Sequence, residues 1–294
     1  MNAKVITIGQ YSLELRQTIK WVVYALVIVN FGFYIRNDWV IAGHTLYAGS
    51  SLLEISRAFA TTIDESAWII LLLLFELETY LLSDDPLSRA KTLLMQGIRL
   101  VCYISLAHTL YAYGVYLTEI YAAVPVEGVT NLCQLVGKDL SYAYNLVYSE
   151  IDSSNCASLS TANQFFYVDP PTFFIVEDSA GLVIEKQLAW IDMFEAIIWL
   201  LILLSIEVAV WLQDRNIGEG LIFKGLSITK WCLYSFLWAA AGYWIFRGHY
   251  MFAWDEFVWI AGFVAIEMNI VEWRNETVSY THLRDHETDS YLVC

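Results

Sequence analysis

Along the chain, long uninterrupted apolar stretches alternate with polar, charge-bearing segments. Six stretches are long enough to cross the roughly 30 Å hydrocarbon core of a bilayer. They cover about 19–35, 66–82, 98–124, 189–212, 228–247 and 250–271. A backbone facing lipid must satisfy its own hydrogen bonds, so each stretch is either a helix or a strand of a closed barrel. Runs such as Ile69-Ile70-Leu71-Leu72-Leu73-Leu74 lack the alternation of a barrel strand, which selects helices. None of Pro86, Pro125, Pro170 and Pro171 falls inside a stretch. Phe31, Phe33 and Tyr34 follow the first stretch in place of a small-residue cleavage site, so it reads as a retained helix and not a signal peptide.

Composition supports the same reading. The chain of 294 residues is 58% hydrophobic and only 16% charged, against the roughly 25% usual in soluble domains. Twelve Trp and 19 Tyr suit bilayer interfaces, where a ring can be apolar at one end and wet at the other. The net charge of −15 argues against nucleic acid as a partner.

The predicted fold is an all-α integral membrane protein of about six transmembrane helices. Residues 1–124 hold helices 1–3, 125–188 form a small acidic extracytoplasmic loop domain, 189–273 hold helices 4–6 and 274–294 form a cytoplasmic tail. Orientation follows Lys and Arg. Eleven basic residues, among them Lys20, Arg99 and Lys230, fall on one side, against five on the other (Arg36, Arg57, Lys138, Lys186 and Arg247). Both termini are therefore expected in the cytoplasm, with a plasma membrane or bacterial inner membrane as the site. On the outer side, Leu52, Leu53, Ile55 and Phe59 recur at helical spacing and predict a short surface helix. The 125–188 loop is acidic throughout, and 173–184 reads as a β-hairpin turning at Asp178–Gly181. Cys133 and Cys156 share this loop, and an oxidising outer space would let them form a disulfide. Cys102 and Cys232 read as small apolar core residues.

The even-numbered stretches share a pattern. Trp68 precedes Glu76, Trp199 precedes Glu207 and Trp259 precedes Glu267, each by eight positions. In the odd-numbered stretches Lys20 precedes Tyr24, Arg99 precedes Tyr103 and Lys230 precedes Tyr234, each by four. Three related helical hairpins account for both series.

Glu76, Glu207 and Glu267 are the leading functional candidates. An ionisable group inside a transmembrane helix costs a few kcal/mol on insertion scales, so it needs a reason to be there. Two readings stand. In the structural one, the basic residue and the tyrosine of each hairpin pair with its glutamate. In the functional one, the three carboxylates form an ion or proton pathway. Asp64, Glu65, Asp192, Glu195, Asp255 and Glu256 mark the outer starts of the even stretches. There they either cap helix N-termini or line an acidic vestibule that draws in cations. His108 is expected to hydrogen-bond a neighbouring helix. His282 and His286 are spaced for a metal but lack a third ligand, so no metal site is expected.

No zinc-protease, serine-elbow or phosphate-loop motif occurs, so the sequence leans away from an enzyme. Two functions remain. One is a cation or proton channel or secondary transporter built on intramembrane glutamates. The other is a non-transporting scaffold or accessory subunit that binds a protein partner through its acidic outer loop. The lipid bilayer is a partner in both, and a homo-oligomer is compatible with either.

Overall fold

The computed structural model describes residues 5–8, 11–77, 88–170, 172–215 and 221–264. The protein is mostly helical, with a small mixed sheet. A hairpin of β1 (Val5–Ile8) and β2 (Tyr11–Glu14) leads into α1 (Leu15–Thr45). Then come α2 (Leu52–Ala58), α3 (Ala60–Glu76) and α4 (Arg89–Tyr121). The sheet region holds β3 (Val124–Pro125), β4 (Ser141–Tyr144), β5 (Val147–Glu150), the short α5 (Cys156–Leu159), β6 (Phe165–Tyr167) and β7 (Ile175–Asp178). It is followed by α6 (Ser179–Asp214), α7 (Leu221–Arg247) and α8 (250–264).

Among the described residues, three helices are long and apolar enough to cross a membrane: α1, α4 and α6. The pair α2–α3, bent by 70° at Phe59, makes a fourth if counted as one span. Their exteriors explain the assignment. Only 11% of the most apolar window of α6 is buried within the protein, and Leu201, Leu204 and Trp211 face outward. On α4, Leu100, Val101 and Ile104 are exposed in the same way. Continuous apolar surface of this kind is stable in lipid and costly in water.

The chain divides into two units, 1–30 with 241–294, and 31–240. In the first unit, Asn30 Nδ2 donates to Asp255 Oδ1 at 2.6 Å, with both side chains buried. Gly248, at φ +85°, ends α7 in the left-handed region that glycine tolerates, and buried Trp244 packs edge-on against Phe252.

The second unit contains the sheet, ordered β3-β6-β7-β4-β5, with only the β4–β7 pair parallel. Asn145 and Leu146 join β4 to β5, both at positive φ (+53° and +59°), as a type I′ turn requires. Leu132, Leu135, Phe165 and Val176 fill one core of the sheet region. A second core sets Ala143 and Ile175 against Ile120 of α4 and Leu182 and Ala189 of α6. Cys133 and Cys156 lie at disulfide distance, their Cα atoms 4.9 Å apart.

The hairpin expected over 173–184 is not formed. β7 ends at Asp178, whose Oδ1 accepts from the N–H groups of Ala180 (3.0 Å) and Gly181 (2.8 Å), so the acid caps α6 instead of turning a strand. As a result α6 starts earlier than the apolar run at 189. At about 1.5 Å per residue its 36 residues span roughly 54 Å, well beyond a bilayer core, and its first turns pack against the sheet. The outer acids also lie away from helix ends. Asp64 and Glu65 lie beyond the first turn of α3, Asp192 and Glu195 well inside α6, and Asp255 and Glu256 inside α8. The helix-capping reading of these six residues therefore fails.

Candidate functional site

In the second unit α4 and α6 run antiparallel, and tyrosines of one meet carboxylates of the other at three levels. Tyr103 Oη donates to Glu207 Oε1 at 2.6 Å. Tyr116 Oη donates to Glu185 Oε2 at 3.3 Å. Between them, Tyr113 lies near the Thr61 side chain and within electrostatic range of Asp192. The tyrosine numbers rise as the acid numbers fall, as an antiparallel pair dictates. Asp192 and Glu207 are about 22 Å apart along the helix axis. Arg99, one turn before Tyr103, is close enough for its charge to act on the Tyr103 hydroxyl.

At the Asp192 level the seam opens into a cavity of about 260 Å³, bounded by α1, α2, α3, α4, α6 and the sheet. Five carboxylates line it: Asp38, Glu54, Glu119, Asp169 and Asp192. Arg57 is its one cation, held by both oxygens of Glu119 at 2.6 and 2.7 Å. Asp38 accepts from the N–H (2.8 Å) and hydroxyl (2.7 Å) of Thr62. Asp169 accepts from Thr172 Oγ1 and from the N–H groups of Phe174 and Ile175, although burial outweighs these donors and raises its carboxyl above the usual range. Asp192 accepts no hydrogen bond from any described residue. It lies deep among the helices, and the surface it retains opens on the cavity.

Behind the cavity wall, Glu185 is fully buried and well supplied with donors. Besides Tyr116 it takes the N–H of Leu146 at 2.6 Å, holding the left-handed turn residue in place. Tyr148 lies beside Tyr116. Glu177 is also buried, yet its Oε2 has no partner. Burial, then the charges of Glu185 and Asp178, push its carboxyl up to about 9, with Lys186 opposing. Asp178 shows the converse. Burial works against its charge, but donors from Ser160, Gly181, Tyr142 and Ala180 prevail and hold it below the usual range.

Of the three glutamates singled out from sequence, Glu207 lies in the seam, Glu76 ends α3, and Glu267 falls outside the described residues. The Arg99, Tyr103 and Glu207 set is brought together. The Lys20 ammonium lies 5.5 Å from the Trp21 ring centre and 6.0 Å from that of Tyr24. Lys230 and Tyr234 lie on α7. Trp68 and Trp199 meet edge to face at 6.0 Å, and Trp259 lies tilted against Phe263 at 6.1 Å in the first unit. Glu65, Asp255 and Glu256 are buried. His108 Nε2 is buried without a hydrogen-bond partner, and His282 and His286 lie outside the described residues. No group of three or more His, Cys, Asp or Glu among the described residues is arranged to hold a metal ion.

Sequence reasoning did not single out Asp38, Tyr113, Tyr116 or Tyr148. Tyr113 and Tyr116 sit three apart on one helix, a spacing that places them on the same face. Only the antiparallel partner turns that face into a site. Comparison with protein-family models, curated proteins and solved structures gives no match.

Proposed function

We propose that the protein is a polytopic membrane protein of about six spans that passes a cation or protons along the α4–α6 seam. In this reading both termini are cytoplasmic, the sheet region is extracytoplasmic, and Glu207 lies on the path with Glu76 and Glu267 as its counterparts. The observation that carries it is the pair of carboxylates Asp192 and Glu207 on α6, each beside a tyrosine of α4. Ionisable groups repeated through the depth of a span are costly to insert and are the usual furniture of ion and proton pathways.

The test is flux in proteoliposomes holding the full chain, with proton, Na⁺ and K⁺ gradients imposed in turn. Wild type should dissipate at least one gradient, and Glu207→Gln and Tyr103→Phe should each slow it at least tenfold. No flux of any of the three ions, or flux unchanged by Glu207→Gln, overturns the reading.

A second reading, a scaffold or accessory subunit, draws support from the sheet. β5 is an edge strand with Val147 exposed, a surface to which a protein partner can add a strand. Partner capture that survives Glu207→Gln but is lost on replacing residues 125–178 with a short linker would favour it.

A further inference from the structure

We propose that the cavity beside Asp192 is a binding site for a small organic ammonium ion, with Asp192 as its counter-charge and Tyr113, Tyr116 and Tyr148 as its aromatic wall. The proposal deepens the cation reading by naming the class of cation, and it rests on that reading only for the direction of travel.

Four observations converge. The first is charge: the lining carries five carboxylates against Arg57, and Arg57 is already committed to Glu119. An anionic ligand would meet five carboxylates against a single guanidinium whose Nη2 is taken by Glu119 and whose unpaired Nε is buried away from the surface. The second is the state of Asp192. A carboxylate deep among helices is stable when it has donors, a counter-ion or a proton. Asp38 and Asp169 have donors, and Asp192 has none among the described residues. Its charged neighbour Glu185 has the same sign.

The third observation is the wall. Tyrosine faces attract cations through the ring quadrupole, and a carboxylate combined with aromatic faces suits alkylammonium groups. The rest of the lining is largely apolar, including Ile41, Ala112, Val168 and Ile175. Such a surface matches methyl or methylene groups and would not replace the hydration shell of Na⁺ or Mg²⁺. The described residues also lack a metal-binding cluster. The fourth is size. About 260 Å³ lies just below the roughly 300–1,000 Å³ of drug-sized ligand pockets, which favours a compact cation over a long polyamine.

Tyr116 couples this site to the rest of the seam, since its hydroxyl bonds Glu185 and its neighbour Tyr148 reaches the sheet. An occupant of the cavity therefore touches both the membrane helices and the sheet region.

The test uses the full chain in detergent micelles, with tetramethylammonium and n-butylammonium chlorides as probes. NaCl at matched ionic strength and the neutral isostere 3,3-dimethyl-1-butanol serve as controls. Binding is read by calorimetry and by the shift in Tm. The ammonium probes should bind and raise Tm, while the controls should do neither. Asp192→Asn should weaken binding at least tenfold. Ala112→Leu fills the cavity without touching a charge, and should abolish binding, so the idea stays testable if one variant fails to fold. Equal responses to ammonium and Na⁺, or unchanged affinity in a folded variant of either kind, overturn the proposal. Ammonium binding without ion flux removes only the transport reading, and ion flux without ammonium binding removes only this one.

Discussion

Glu185 and Asp192 stand two turns apart on the same face of α6, and their surroundings are opposite. Glu185 lies at the junction with the sheet, fully buried, and receives a backbone N–H and a tyrosine hydroxyl. Asp192 faces the cavity and receives no hydrogen bond from a described residue. The donors around Glu185 already explain why an acid belongs there, because it fixes the left-handed Leu146 and so the β4–β5 turn. The surroundings of Asp192 offer no such explanation, and what it lacks is the charge a ligand would bring. Acids that look alike in a sequence thus differ in how many donors the fold gives them.

The largest expected effect comes from breaking the satisfied side. Glu185→Ala removes both acceptor oxygens, strands the Leu146 N–H and opens a void. It should destabilise the protein by about 3 kcal/mol. The measurement is thermal unfolding in detergent, paired with proteolysis across the β4–β5 turn. A loss under about 1 kcal/mol would mean that the junction does not depend on this contact.

A pH effect of intermediate size sharpens the contrast within the sheet region. Glu177 holds its proton in the folded state up to about 9 against an ordinary value of 4.5. The folded chain thus binds a proton that the unfolded chain releases between those limits. Its contribution to stability is complete below pH 4.5, erodes as pH rises and is gone above 9, with a slope of at most about 1.4 kcal/mol per pH unit. Tyr116, Tyr148, Glu185, Lys186 and Asp178 are the titratable groups around it. Wild-type Tm should fall from pH 5 to pH 9, and Glu177→Gln, which keeps the shape without the charge, should flatten the profile. Parallel profiles in the two proteins would place the pH dependence elsewhere.

The smallest effect is expected at the unsatisfied acid. Asp192→Asn should change stability by no more than about 0.5 kcal/mol in the absence of ligand, because no protein contact is lost. A loss comparable to that of Glu185→Ala would show that Asp192 has a structural partner after all and would erase the distinction.

Much of the helical part was legible in the chain. The apolar stretches at 19–35 and 189–212 fall within α1 and α6, the described part of 66–82 overlaps α3 and 98–124 overlaps α4, and Cys133 and Cys156 come to disulfide distance. The boundary at Asp178 was misread because an acid followed by Ser-Ala-Gly suits a turn and a helix start equally well. The choice depends on whether Leu182 and Ala189 find a core to join, which they do against Ile120 and Ile175. For Asp64, Glu65, Asp192 and Glu195 a helix start set too late turns an interior acid into a cap, whereas α8 starts at 250 as expected and Asp255 and Glu256 lie too far along it to cap it.

Membrane character and helical class follow from the sequence alone, because lipid selects on the apolarity of each stretch and on backbone self-sufficiency, both local properties. The reason to single out Glu207 is also local, the cost of a charge in an oily run. Which acid meets which donor was decided only by tertiary structure. Tyr103 and Tyr116 become donors to Glu207 and Glu185, and Tyr113 comes near Asp192 without bonding it, through the antiparallel register of two helices separated by the whole sheet region, and no short-range spacing encodes that register.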